Sequence, residues 1–458
     1  MTNSPMPSYD PGNVQGLILR GYTHTYSCHM LFTFSSCLGA AGFIRALLPH
    51  VQSAEAWTHK PERMLNIGLT FNGILTFEPG FKGQFPNEFE SGPWSDGSQA
   101  SLNDTGPSAP NTWWNGHDGQ DIHCIVHTYG LTDGALADLV SIVSQAADAN
   151  SVSEILPLKP GTGQCGRLEQ YAPLKNFIHF GYRDGIDNPA LGWPADPAVT
   201  APDDANNFLI GYPGSKFHPG PESGPAAEFA RDGCYNAFRV LHQNVVAFER
   251  FLTDTAPTVV AAIGGSEDQA REWLAAKLAG RWRKGSPLAL SPRAQDDATA
   301  DKTDFLYVDD RDALKCPFSA HTRVANPRDD LILSDAPVPR LIRRGMPYGV
   351  LPALSDCEER GLIGLFLCGS LAGQFEKLYS WINVNDFNNV FSPGFDTQDA
   401  LLANRSLPSA VDRSFTIPIS ENASIKIKSL PQFIITRGTA YCLLPSMRTL
   451  RRVAGLSE

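Results

Sequence analysis

Several things are scarce in this 458-residue chain, and each scarcity narrows what it does. Its longest near-apolar run, Gly361 to Gly373, falls short of the roughly 20 residues a membrane-crossing helix needs, so it reads as a buried strand. Basic residues are outnumbered, 37 Lys and Arg against 48 Asp and Glu, for a formal net charge of -11. Nucleic acid and anionic membrane are therefore excluded as main partners, because phosphates need a basic field, although a local basic pocket stays open. The nine cysteines are odd in number and form no CxxC pair. That spacing favours free thiols in a reducing compartment over a disulfide frame or a zinc site. The opening MTNSPMPSYDPG lacks a basic n-region and an apolar h-region, so no secretory signal is visible and a cytoplasmic protein is expected. Charged residues make up only 19% against 42% hydrophobic, a composition that argues against global disorder.

What is present reads as alternating strands and helices. Cys28 to Phe34, Asn66 to Phe77, Asp121 to Gly130, Cys234 to Leu241, Leu362 to Cys368, Gln432 to Thr436 and Tyr441 to Leu444 are apolar and rich in β-favouring residues, and they predict strands. Leu136, Leu139, Val140 and Val143 repeat at helical spacing behind Asp133, a candidate cap. Helical sequence also starts at His242, and a further helix opens at Ser266, where Ser266 and Gln269 have capping-box spacing and Gly280 supplies the stop. The Gly-, Ser-, Asn- and Pro-rich stretch from Phe81 to Gly119 is long for a connection and reads as an insertion or a functional segment. Strands and helices mix without regular βαβ spacing, which predicts an α+β fold with antiparallel sheets covered by helices. Length alone allows two or three domains, or one enzyme of two similar lobes. The Pro-, Gly- and Ser-rich stretch Pro219 to Ala227 is a plausible boundary.

Three stretches concentrate reactive residues: HFGYRDGIDNPA at His179 to Ala190, CPFSAHTRVANPR at Cys316 to Arg328, and RLIRRGMPYG at Arg340 to Gly349. Taken alone, the first is a charged surface turn and the second holds a lone structural histidine. Together they resemble the dye-decolorising peroxidase family. Its GxxDG motif is matched by Gly181-Tyr182-Arg183-Asp184-Gly185, its proximal histidine segment by Ala320-His321-Thr322-Arg323 with Asn326-Pro327-Arg328, and its distal arginine segment by Arg343-Arg344-Gly345. NVQGLILRGY near the start, GRWRKGSPL at Gly280 to Leu288, GLIGLFLCGSLAGQFE and FIITRGTAYCLLPS extend the likeness over nearly the whole chain, toward the family's longer members.

That resemblance implies duplicated ferredoxin-like lobes, residues 1–222 with the GxxDG motif near their end and 223–458 with haem b (iron protoporphyrin IX). It implies a peroxidase that works through ferryl intermediates, with hydrogen peroxide and an aromatic reducing substrate such as a dye or phenol as partners, and it leaves a homo-oligomer open. His321 is implied as the iron ligand, Asp396 as the carboxylate on its other nitrogen with Asp386 as the alternative, Asp184 as the distal acid–base group and Arg343 as the distal cation. Consecutive side chains of a strand face opposite ways, so only one of Arg343 and Arg344 reaches the site. Gly181 and Gly185 let the backbone approach the cofactor, and Asp187 caps the turn through its side chain. Arg323 is a candidate for a propionate contact or else a surface ion pair. Trp113, Trp114, Trp282, Tyr348, Trp381 and Tyr441 are aromatics available for electron relay or for the core. Other histidines, among them His24, His29, His123, His127, His179, His218 and His242, show no metal-ligand pattern. A carboxylate base, ordinarily near about 3.9, implies an acidic optimum. Two rival readings keep the fold: a protein that stores, carries or strips haem, and a relative without haem.

Overall fold

The computed structural model describes residues 9–113, 121–157, 165–172, 176–189, 191, 205–212, 217, 221, 223–330, 338–349, 359–385, 398–407 and 413–456. Strands β1 (Tyr26–Thr33), β2 (Arg63–Leu69), β3 (Cys124–Gly130), β4 (Ser153–Ile155) and β5 (Leu168–Tyr171) belong to the first half of the chain. The second half supplies β6 (Cys234–Gln243), β7 (Ile342–Arg343), β8 (Met346–Tyr348), β9 (Gly361–Cys368) and β12 (Ile434–Leu444), with β10 (Phe415–Ser420) and β11 (Ala423–Ile427) as a separate hairpin.

One mixed-origin sheet of ten strands runs β4-β1-β3-β2-β12-β6-β9-β7, with β5 on β1 and β8 on β9. The order carries a repeat that the sequence hides. Strand β1, helix Cys37–Leu47, β2, β3, helix Asp133–Ala149 and β4 make a β-α-β-β-α-β unit. Strand β6, helices Val245–Ile263 and Glu267–Ala279, β7, β9, helix Lys377–Asn383 and β12 make another, with the corresponding strand order. The two units join edge to edge where Leu443 of β12 pairs with Leu69 of β2, giving a duplicated ferredoxin-like α+β fold. Pairing closes both inner edges, so neither unit exposes that edge to another chain.

Local chemistry explains most boundaries. Ser266 accepts from the Gln269 N–H while the Gln269 side chain returns to the Ser266 N–H, and Gly280 ends that helix at φ 84°, so the expected capping box and stop are both present. The expected cap at Asp133 is instead Thr132, whose hydroxyl accepts from Ala135 N. Helical sequence from His242 begins later, at Val245, behind the Asn244 cap. The strand expected over Asn66 to Phe77 is broken at Thr70, whose hydroxyl accepts from Gly73 N and opens helix Phe71–Phe77. Gly73 is required there because a Cβ would lie 1.9 Å from the His123 carbonyl oxygen. Two expected strands near the end are one, β12, carried through by a bulge between Thr436 and Gly438. Among the described residues no helix is long and apolar enough to cross a membrane.

Candidate active site

A cavity of about 220 Å³ opens against the second unit, beneath β9 and beside the GxxDG segment. Its walls are mostly apolar, including Ile178, Phe180, Leu341, Leu362, Phe366 and Leu378, and His321, Asp184 and Arg343 all line it. The three groups named from sequence therefore share one hollow.

His321 is the first residue of helix His321–Ala325, and its Nδ1 lies 2.8 Å from Asp399 Oδ2. Asp399 is fully buried, and its other oxygen accepts from Leu401 N and Leu402 N at 2.8 and 2.7 Å. With both oxygens engaged, that carboxylate fixes the imidazole ring and leaves Nε2 without a hydrogen-bond partner among the described residues. The role expected of Asp396 is thus filled by Asp399, three residues on; Asp396 and its alternative Asp386 lie outside the described residues. A signal existed in Asp399-Ala400-Leu401-Leu402, since an aspartate just ahead of an apolar turn accepts from the N–H groups two and three residues on.

Across the hollow, Arg343 Nη1 donates to Asp184 Oδ1 at 3.0 Å, and both side chains are about one-third exposed. Strand β7 aims Arg343 inward, with its backbone N–H held by Asn188 Oδ1 at 2.8 Å. Arg344 faces the other way and donates to the Leu17 and Ile18 carbonyls. Burial pulls its guanidinium down to about 10. Gly181 and Gly185 take φ of 81° and 78°, a region closed to most side chains; at Gly181 a Cβ would also meet Arg283 Nη1 at 2.9 Å.

Two expectations for this region need correction. Arg323 does not reach the cavity: it is 1% exposed, donates to both carboxylate oxygens of Asp330 and to Asp310, and stacks between Tyr307 and Phe318. It is a buried ion pair, not a surface one. Asp187 is not the turn cap; it bonds Arg328 at 2.9 Å, Arg340 at 2.9 Å and Asn326 at 3.2 Å. Burial works to raise the Asp187 carboxyl, but Arg340 and Arg328 together hold it below its ordinary value. Arg340, Asn326 and Arg281 line the cavity; their segments were read from sequence, but no role was given to these side chains. Of the aromatics, Trp113, Trp282, Tyr348, Trp381 and Tyr441 are all buried, while Trp114 lies outside the described residues, as does His218.

A histidine–carboxylate pair facing a carboxylate–arginine pair across an apolar hollow, on duplicated ferredoxin-like units, defines a haem-peroxidase type of site. No family profile matches the chain. It is 27% identical over 480 residues to a dye-decolorizing peroxidase of Mycetinis scorodonius, covering 96% of this chain and 87% of that one. A multifunctional dye peroxidase of Amycolatopsis is 27% identical over 440 residues, covering 90% and 88%. The fold matches a solved dye-decolorizing peroxidase of Auricularia auricula-judae with TM-score 0.80 at 23% identity, over 98% of this chain and 100% of that one. In sequence and in fold the chain is similar to dye-decolorizing peroxidases.

A haem is the cofactor that goes with the family, and the residues fit it. The donor set offers one imidazole nitrogen without a hydrogen-bond partner among the described residues, a buried carboxylate fixing the other, apolar walls, and the cationic and amide side chains of Arg340 and Asn326 for an anionic edge.

Proposed function

We propose that the protein is a haem b peroxidase that uses hydrogen peroxide to oxidise dyes, phenols and related aromatic donors. The observation that carries this reading is that His321, backed by the buried Asp399, lines the same cavity as the Asp184–Arg343 pair. The names of the relatives, dye-decolorizing peroxidase and multifunctional dye peroxidase, support dyes as donors. When bound, haem supplies the iron centre at which peroxide is reduced and donors give up electrons.

Each side chain then has a separate task. His321 would hold the iron through Nε2, with its ring orientation set by Asp399. Arg340 and Asn326 would hold the propionates, the task expected of Arg323. Asp184 has Oδ1 on Arg343, which leaves Oδ2 to take a proton from one peroxide oxygen and return it to the other. Arg343 places a fixed cation where negative charge grows on the departing oxygen. The first unit, within 1–222, contributes the GxxDG segment, and the second, within 223–458, contributes the rest.

Haem storage or transport would use the same histidine but has no need of an acid–base group and a cation opposite it. An absorption spectrum of the haem-supplemented protein separates the readings. A Soret band that changes with one equivalent of peroxide and returns when a phenol is added is the expected result. A Soret band indifferent to peroxide would favour carriage, and no Soret band at all would end both.

A further inference from the structure

The stretch 81–113 is long and its role is not evident from sequence. It does not stop at the surface. Asp104, 4% exposed, makes a two-pronged ion pair with the fully buried Arg239, at 2.9 and 2.6 Å, and also accepts from the Thr436 hydroxyl. That anchor fixes the neighbouring backbone carbonyls of the buried Leu102 and of Asn103 and Thr105 as acceptors. Two buried asparagines read them: Asn383 Nδ2 donates to Leu102 O at 2.8 Å, and Asn404 Nδ2 to Asn103 O at 2.9 Å and Thr105 O at 3.0 Å.

From there the bonds lead to the carboxylate behind His321. Asn404 N donates to Asn383 Oδ1 at 2.7 Å, and Gln398 Nε2 donates to Asn383 O and Asn404 O at 3.0 and 2.8 Å. Asp399 follows Gln398 directly, and Arg405, next to Asn404, donates to the Asp399 carbonyl at 2.7 Å and to Gln398 Oε1 at 2.7 Å. Asn383, Gln398, Asp399 and Asn404 are all less than 7% exposed, so water offers no substitute partners.

We infer that Asn404 is a positioning residue for the His321–Asp399 pair, and that the stretch 102–105 is the fixed base on which it acts. This rests on the reading of His321 as the iron ligand. A carboxylate on the far nitrogen makes an imidazole a stronger donor, and that effect depends on the hydrogen bond staying short. The loop 398–405 carries Asp399 with little regular structure of its own, so its placement comes from these side-chain bonds.

The test uses the full chain loaded with haem, comparing Asn404→Ala and Asn404→Asp with Asp399→Asn. The aspartate keeps the shape and the acceptor for Ser406 N but loses the donations to Asn103 O and to Thr105 O and Oγ1. The readouts are the ferrous iron–histidine stretch by resonance Raman, the ferric/ferrous midpoint potential, and the haem dissociation rate. Both Asn404 variants are expected to keep haem, lower the stretch and raise the potential, in the direction of Asp399→Asn but by less. Haem dissociation should quicken by less than the roughly 10- to 100-fold expected for loss of the direct partner. Haem-loaded variants with wild-type stretch and potential would overturn the inference. So would haem loss in Asn404→Ala with Asn404→Asp unaltered, which would mean packing alone. A wild-type spectrum without a histidine-ligated haem would instead refute the ligand reading beneath it.

Discussion

Asp184 and Arg343 stand 159 positions apart in the chain and meet at 3.0 Å. Loop and strand are held in that relation by the Asn188 bond to Arg343 N and by a longer contact of 3.4 Å from Arg343 to the Asp187 carbonyl. The pair is thus fixed by backbone as well as by charge. Asp184→Asn preserves the outline and removes the base, so the protein should keep its haem while its reaction with peroxide slows by roughly 10² to 10⁴. Stopped-flow spectroscopy measures this, and a wild-type rate in that variant would exclude Asp184 as the proton carrier.

Proton transfer by a carboxylate also sets the direction of the pH profile. A carboxylate is a weaker base than the imidazole it replaces and keeps its capacity to accept a proton further into acid. Oxidation of a dye with peroxide should therefore be fastest on the acid side of neutrality. A profile whose sole maximum lies above pH 7 would contradict the assignment.

Stability should limit how far into acid that activity extends. His29 and His127 lie buried with their Nδ1 atoms 2.9 Å apart; His29 Nε2 faces Gln170 Oε1 at 2.6 Å and Asn236 Nδ2 faces His127 Nε2 at 3.3 Å. Each bond in this row is satisfied with both rings neutral, and an added proton would set N–H against N–H. Burial brings His29 down to about 4, and burial with the His29 neighbour takes His127 well below its ordinary value. An unfolded chain binds these protons below about 6.5 while the folded one does not, so stability falls as pH drops from there toward about 4. For His29 alone the loss amounts to about 3 kcal/mol. Urea midpoints at pH 7 and pH 4.5 check it: equal midpoints would rule the effect out, and replacing both histidines with Gln should flatten the slope.

Arg323 separates structural from cofactor roles in the segment after His321. Its removal leaves Asp310 and Asp330 buried without their cation, a loss of about 3–5 kcal/mol for a broken buried pair. Arg323→Met should therefore unfold at markedly lower urea, while the fraction that stays folded shows an unchanged Soret position. Weakened haem binding at wild-type stability would restore the propionate role that the geometry denies it.

What the sequence revealed and what it concealed divide along the range of the interactions. The capping box at Ser266 and Gln269 depends on residues a few positions apart and stands as read, and the strand read over Cys234 to Leu241 is present but runs on to Gln243. Thr70 was hidden because the apolar run continues through it; only the hydroxyl's bond to Gly73 N turns strand into helix. The matching strand orders of the two units depend on pairings between segments well separated in the chain, which no local pattern encodes. In the site, motif-borne residues converge, whereas Asp399 was missed for its neighbour at 396. The choice between two aspartates three residues apart is made by the Leu401 and Leu402 amides.

The wall beside Arg343 offers a last prediction. On β9 the alternation of a strand turns Leu362, Gly364 and Phe366 toward the cavity, and Phe366 sits directly across from Arg343 in the pairing with β7. A Cβ on Gly364 would fall 2.5 Å from the Phe366 ring, so the ring lies back over the strand where a side chain would otherwise stand. Phe375 and Tyr379 bound it on the far side, at ring separations of 5.6 and 6.3 Å. Phe366 lines the hollow, so a ring pushed off Gly364 and away from Phe375 and Tyr379 is expected to move into it. Gly364→Ala should therefore weaken binding of imidazole to the ferric haem protein more than binding of the smaller cyanide, and Phe366→Ala should do the reverse. Equal changes for the two ligands in both variants would show that this wall does not set the size of what approaches Arg343 and Asp184.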